Sequence, residues 1–290
     1  MYKDLMAVAV FCFNRADYLQ RLCESLVAQS HFMNTHFYFF HDGARNNFSG
    51  RLASDPNLVE ATLSVSDAFP EGEKKEVHRR TVNVGVGIQQ YEAYEMLRAR
   101  YRYVTYLDDD VVLSPDFLKV SRLLISEMQG RDDAVTATAG FVRHCNAEDL
   151  LSCLGQYEYG HHSWIGYTMD MERWTRVLPT FLKYYKLMEK RDYMMRHPGI
   201  RLLHQQHGWN RPHTSQDAWK DASMNYLGAK KLRMLVNRGF YIGESGVHGS
   251  PGLYQQQGWE QWQPYEHETD QRITKLAFSE ESTGTKFSNY

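Results

Sequence analysis

Nine consecutive apolar residues, Leu5 to Phe13 (LMAVAVFCF), stand near the start of this 290-residue chain. A run with no polar alternation is hydrophobic on both faces. A strand of that kind is stable only when both faces are covered, as in a parallel sheet flanked by helices. It is too short for a membrane span, which takes roughly 20 apolar residues, and Asn14-Arg15 follow at once. Leu19, Leu22, Cys23, Leu26 and Val27 then recur at helical spacing and predict a helix over Tyr18 to Leu26. His36 to Phe40 reads as a second strand closed by the turn-prone His41-Asp42-Gly43, and Val77 to Val82 as a weaker third. Ile88 to Arg100 reads as a helix and Tyr103 to Leu107 as a fourth strand. Strands alternating with helices imply right-handed βαβ units, hence an α/β chain with a mostly parallel central sheet. Ligands bind such sheets beyond the carboxyl ends of the strands. Asn14, Asp42 and Asp108 to Asp110 all fall there.

The composition excludes little but points consistently. Lys+Arg 33 against Asp+Glu 35 gives a net charge of -2, so nucleic acid is not an expected partner. No other segment is apolar enough to span a bilayer, and the expectation is a cytoplasmic protein. The basic, aromatic stretch Lys183 to Arg196 (KYYKLMEKRDYMMR) reads as a solvated amphipathic helix, with peripheral membrane contact as its rarer use. The cysteines Cys12, Cys23, Cys145 and Cys153 lack CxxC spacing and are expected as buried thiols. His161-His162 and His204, His207 and His213 lack the spacing of a zinc site. All six tryptophans lie after residue 130. The chain therefore reads as a nucleotide-binding half over 1–130, an acceptor-binding half over 131–278 and a polar tail over 279–290, with no linker between the halves.

The fourth strand runs directly into Asp108-Asp109-Asp110. Three adjacent carboxylates repel one another and are tolerable only when solvated or neutralised by a cation. All-oxygen ligands suit Mn²⁺ or Mg²⁺, and either ion can in turn neutralise a diphosphate. Ser114 or Pro115 can start the next helix. After the third predicted strand come Arg79, Arg80 and Asn83-Val84-Gly85-Val86-Gly87. Glycines there could let backbone N–H groups approach a nucleotide, or simply form a helix entry.

The acidic triplet followed by Ser114-Pro115-Asp116-Phe117-Leu118 resembles the DxD region of GT-A glycosyltransferases. It is most similar to the N-acetylglucosaminyltransferase I type (family 13). The opening Val10 to Arg15 and its helix are similar to the first βα unit of that type and of family 2 transferases. Ser163 to Tyr167 with Glu172-Arg173-Trp174 resembles their tryptophan-glycine segment near the acceptor, and Gly246-Val247-His248-Gly249 their late His-Gly segment. The likeness extends over residues 5 to 250. It implies a GT-A fold and a metal-dependent transfer of sugar from a nucleotide-sugar, a UDP-sugar in the first place, to a hydroxyl of a glycan or other acceptor. Asp110 and His248 would then serve the metal, Asp109 the ribose or metal-bound water, and Asp108 a donor-sugar hydroxyl. The type commonly has Glu at that first position. Asp42 would read the uracil. Phe11, Asn14, Arg15, Arg79, Asn83, Trp164 and Gly166 would complete the donor site.

The likeness also implies an inverting reaction with a general base at the start of a helix, at Asp217, with Asp221 as its substitute. The same residue has a structural reading: if Thr214 caps the helix, Asp217 is the third helical residue of a capping box. Trp219 reads either as a sugar platform or as core. Two rival functions keep the fold. One is a sugar nucleotidyltransferase, for which Phe13 to Asp17 lacks the Gly-rich loop. The other is an inactive nucleotide-sugar-binding module.

Overall fold

In the computed structural model, residues 6–140, 150–160, 164–209, 213–244, 251–256 and 273–279 are described. The apolar run forms β1 (Met6–Cys12), all seven residues buried. It is followed by α1 (Ala16–Val27), which packs Leu19, Leu22, Cys23 and Leu26 inward while Val27, at the helix end, is 46% exposed. Next come β2 (Thr35–His41), α2 (Pro56–Ala68), β3 (Lys74–Arg79), α3 (Val86–Leu97) and β4 (Tyr103–Asp108). Helix α2 starts at Pro56 under an Asp55 cap whose carboxylate accepts from Asn57 N, a capping signal that the apolar pattern alone does not reveal.

Strand β3 begins three residues earlier than the apolar residues suggested. It is an edge strand with partly exposed charged side chains, and Thr81-Val82 instead belong to the loop that returns over β2. The rest comprises β5 (Val111–Leu113), α4 (Phe117–Gln129), β6 (Ala134–Thr138), α5 (Leu150–Cys153), β7 (Gln156–Tyr159), β8 (Gly166–Asp170), α6 (Met171–Trp174), α7 (Leu178–Met188), α8 (His197–Gln206), α9 (Gln216–Tyr226), β9 (Lys230–Met234), β10 (Gly239–Tyr241), α10 (Pro251–Gln256) and β11 (Ala277–Phe278). The single helix expected over Lys183 to Arg196 is broken. α7 ends at Met188, and Asp192 caps a separate 3₁₀ turn at Tyr193–Met195.

The main sheet runs β11-β7-β9-β6-β8-β4-β1-β2-β3. β1 pairs in parallel with β2 and β4, and β2 with β3, whereas β8 is antiparallel to both β4 and β6. Strands from early and late sequence thus share one sheet. One core, under α1 and α4, holds Val8, Val10, Leu22 and Phe117. The other, under α3 and α7–α9, holds Tyr106, Trp164, Tyr184 and Trp219. Trp219 is fully buried, gives its indole N–H to Thr180 O at 3.0 Å and stacks on His204, so it belongs to the core. Cys12 and Cys23 are buried free thiols, and burial pushes both well above the ordinary thiol range. No helix among the described residues is long and apolar enough to cross a membrane.

A small ribbon locks the segment after the acidic triplet: β5 pairs antiparallel with β10, and Ser114 N donates to Arg238 O. Arg238 is itself fully buried and donates from Nε to Asp116 Oδ2 at 2.8 Å. Removing one partner of a buried ion pair strands the other's charge. Arg238→Met should therefore lower unfolding free energy by about 3 kcal/mol or more, read as a fall in urea midpoint with little change in slope.

Candidate active site

The carboxyl ends of β1, β2 and β4 lie side by side, with Phe11 opposite Asp108 and Cys12 opposite His41. The floor beneath them is a row of stacked rings crossing five strands. It runs Tyr167 on β8, Tyr106 on β4, Phe11 on β1, Phe40 on β2 and His78 on β3, with centroids 4.9 to 5.8 Å apart. Phe11 is thus part of a buried stack.

Asp109 and Asp110 are 1% and 4% exposed. Arg15, in the turn after β1, donates to both: Nη1 reaches Asp110 Oδ2 at 2.6 Å, and Nη2 pairs with Asp109 Oδ1. Phe13 N adds a 3.3 Å bond to Asp109 Oδ2. Burial raises Asp109 to about 6, with Asp110 adding to the rise and Arg15 opposing it. Burial pulls the Arg15 guanidinium down, but the two carboxylates hold it above its ordinary range. Asp108 is pushed well above the usual carboxylate range by burial, then by Asp110, Asp217 and Asp109, while Lys220 draws it back. The start of α9 is therefore within electrostatic reach of the triplet.

Asp110 Oδ1 is buried with no hydrogen-bond partner. Asp110 O accepts from Ile242 N at 2.9 Å, and a Cβ on Gly243 would lie 2.6 Å from Asp110 Oδ2 and 2.5 Å from the Tyr241 hydroxyl oxygen. An unpartnered carboxylate oxygen in a hard, all-oxygen donor set fits a divalent cation, and Gly243 lets the following loop pack directly against the carboxylate's other oxygen. Among the described residues no group of three His, Cys, Asp or Glu is arranged to hold a metal by itself, so further ligands would have to come from substrate or water. His248 lies outside the described residues.

Asp42 is buried and fully used. Its Oδ1 accepts from Gly43 N and Val84 N, and its Oδ2 from Asn83 Nδ2 at 2.9 Å and Gly85 N at 2.8 Å. Burial raises it to about 6 against the pull of those three N–H groups. Asn83 and Gly85, the latter at φ +83°, thus form the tip of a loop braced on β2. A Cβ on Gly85 would press on Tyr193, and one on Gly87 on Tyr184, so packing accounts for both glycines and the segment is a helix entry. Asn14 donates to Ser54 Oγ at 2.8 Å. Arg79 lies apart at the sheet edge, paired with Asp67 beside an open cleft of about 390 Å³.

On α9 the cap is Ser215, not Thr214: its Oγ accepts from Ala218 N at 3.1 Å. Asp217 is therefore the second helical residue rather than the third, and a capping box does not account for it. Its side chain is 38% exposed, and its Oδ1 lies 2.9 Å from Lys220 Nζ without forming an aligned hydrogen bond. Asp221 is committed elsewhere, to Trp164 Nε1 at 2.8 Å and to Lys231. Trp164 is buried over that pair, and Gly166 O accepts from Thr138 Oγ1 at 2.7 Å. Sequence reading missed Lys220, Lys231, Gln90 and Tyr241. Nothing in their local pattern marks them, since each meets the site only through the tertiary fold.

The family model described as "Glycosyl transferase family 2" matches residues 7–207. Among solved structures, Staphylococcus aureus TarS 1-349, also solved in complex with UDP-GlcNAc, is 18% identical over 49% of this chain and 37% of its own, at a TM-score of 0.37. This chain thus spans little more than a third of that protein. The Q189E active-site mutant of LgtC is 13% identical over 73% and 68% of the two chains, at a TM-score of 0.39. No curated protein matches.

Replacing Asp42 by Ala would strip four donors of their acceptor. It should cost about 2–3 kcal/mol, measured by urea unfolding, and should speed hydrogen exchange at the Val84 and Gly85 amides.

Proposed function

The chain belongs to glycosyl transferase family 2, and from that premise we propose that it is a metal-dependent, inverting glycosyltransferase of the GT-A fold using a UDP-sugar. The observation that carries this reading is the unpartnered, buried Asp110 Oδ1 just after β4, with a half-exposed Asp217 at the start of α9 within electrostatic reach of neighbouring Asp108. Asp110 would hold Mn²⁺ or Mg²⁺, with His248 as a further contact. The ion, when bound, neutralises charge developing on the departing diphosphate. Asp109 would face the ribose and Asp108 a hydroxyl of the donor sugar.

Arg15 is bound to Asp109 and Asp110 and supplies the counter-charge that opposes the burial-driven rise of Asp109. Asp217 would accept the acceptor hydroxyl's proton as that oxygen bonds to the anomeric carbon and the bond from that carbon to the diphosphate oxygen breaks. A carboxylate with a free lone pair and access to solvent suits that role. Asp221, already bound by Trp164 and Lys231, suits it less well. The acceptor is a hydroxyl-bearing molecule, a glycan in the first instance. With four donors already on the Asp42 carboxylate, any contact to a uracil would have to displace one of them.

With UDP-GlcNAc and Mn²⁺ at a hundredfold over Kd, the melting temperature should rise by about 5 °C. Asp110→Ala should abolish the part of that rise that needs Mn²⁺. An unchanged metal response would remove the metal from this site. Asp217→Asn should lower turnover by about 10²- to 10⁴-fold and leave the donor-induced melting shift intact. Full activity would place the base elsewhere.

A further inference from the structure

Two lysines are buried beside the acidic site, and neither is used by the reaction as described above. Lys220 is 1% exposed and Lys231 5%. Their ammonium groups sit 4.3 and 4.4 Å from the centroid of the same indole ring, Trp164. Lys231 is matched by Asp221. Lys220 Nζ donates to Gln90 Oε1 on α3 at 2.9 Å and lies 3.5 Å from the Tyr167 hydroxyl on β8 and 5.0 Å from the centre of its ring. The adjoining void, lined by Gln90, Tyr106, Tyr167 and Lys220, is about 10 Å³, room for one water at most. A buried ammonium with so little hydration is tolerable only next to a carboxylate. The carboxylate within reach is Asp217, at 2.9 Å.

We infer that Lys220 is a positioning residue for the base. Its ammonium is fixed by Gln90 on α3 and by the faces of Trp164 and Tyr167, and it supplies the counter-charge that holds the Asp217 carboxylate in place and aimed at the reacting hydroxyl. This rests on the assignment of Asp217 as base.

The need for such a counter-charge follows from what else faces Asp217. Asp108 on β4 is an acidic group within electrostatic reach of Asp217. Tyr167 on β8, Tyr184 on α7 and Tyr193 before α8 are all held un-ionised, first by burial, and Asp217 adds to the effect. Of the other cations in that set among the described residues, Arg196 lies over the Tyr193 ring, and Lys231, its ammonium lowered by burial, is already paired with Asp221. Without Lys220, an acid surrounded by rings and another carboxylate would take up a proton more readily. Lys220 holds the buried Oδ1, which leaves the carboxylate's exposed oxygen to accept the substrate proton. A cation–π cage also resists rotation of the lysine stem, which fixes the carboxylate that leans on it.

The test is carboxyl ¹³C NMR of Asp-labelled protein across pH, with Asp217 assigned by loss of its signal in Asp217→Asn. In Lys220→Met the Asp217 titration should move up by about 1 pH unit or more. Lys220→Arg, which keeps the charge, should restore most of the shift. An unmoved Asp217 titration in a folded Lys220→Met protein overturns the inference. Should Lys220→Met fail to fold, Gln90→Leu removes the bond that fixes Lys220 and should move the same titration in the same direction. In parallel, hydrolysis of UDP-GlcNAc with Mn²⁺ is followed in a double-mutant cycle. If Lys220 acts through Asp217, Lys220→Met adds no loss to Asp217→Asn, and multiplying losses overturn the inference. A fully active Asp217→Asn enzyme defeats the base assignment instead, while the NMR result still reports on the ion pair.

Discussion

The site depends on negative charge held out of water. A strand that ends in three carboxylates, two of them almost wholly buried, would shift their protonation or come apart if nothing answered it. The chain answers with one guanidinium from the first βα turn, which forks across Asp109 and Asp110. That single contact ties the ends of β1 and β4 together. It also orients the triplet so that one oxygen of Asp110 is left over. Arginine suits the position because its planar fork engages two carboxylates at once and cannot deprotonate.

A second answer to the same problem comes from across the sheet. Asp217 and Asp221, both on α9, each meet one lysine, and both ammonium groups lie against the ring of Trp164. The pairing divides the labour of two nearby carboxylates. Asp221 is bound to an indole N–H and an ammonium. Asp217 touches only an ammonium and retains its capacity to accept. Two residues of one type, four apart on one helix, thus stand in different company: Asp217 beside Lys220 of its own helix, Asp221 beside Trp164 and Lys231.

Much of the architecture was legible in the sequence. β1, α1, β2 and β4 are marked by runs and periods that burial demands, and the triplet is visible as a charge cluster where only a strand end can tolerate it. Strand β3 was misplaced because an edge strand need not be apolar. Helix α2 went unseen because its evidence is an Asp-Pro cap rather than a periodic face. The helix over Lys183 to Arg196 looked continuous, but Asp192 pairs with Arg51 and caps a new turn, and no local pattern encodes a partner 141 residues away. Lys220 was hidden for a like reason. On a sequence it is an unremarkable helical lysine, and its burial is decided by Gln90, 130 residues earlier. Asp42 carried a correct signal for a strand-end carboxylate, but the sequence could not show that its oxygens would be consumed by the loop next door.

The ring row that crosses β8, β4, β1, β2 and β3 has a mechanical consequence. Flat side chains stacked face to face across a sheet leave little room for one strand to slide against its neighbour, because a slip of an inner strand must unstack two contacts at once. The acidic strand end therefore rests on a stiff plate. Adaptation to a bulkier or smaller sugar would have to come from the loops and helix ends above that plate, and selection acting on specificity would leave the five aromatic positions beneath nearly untouched.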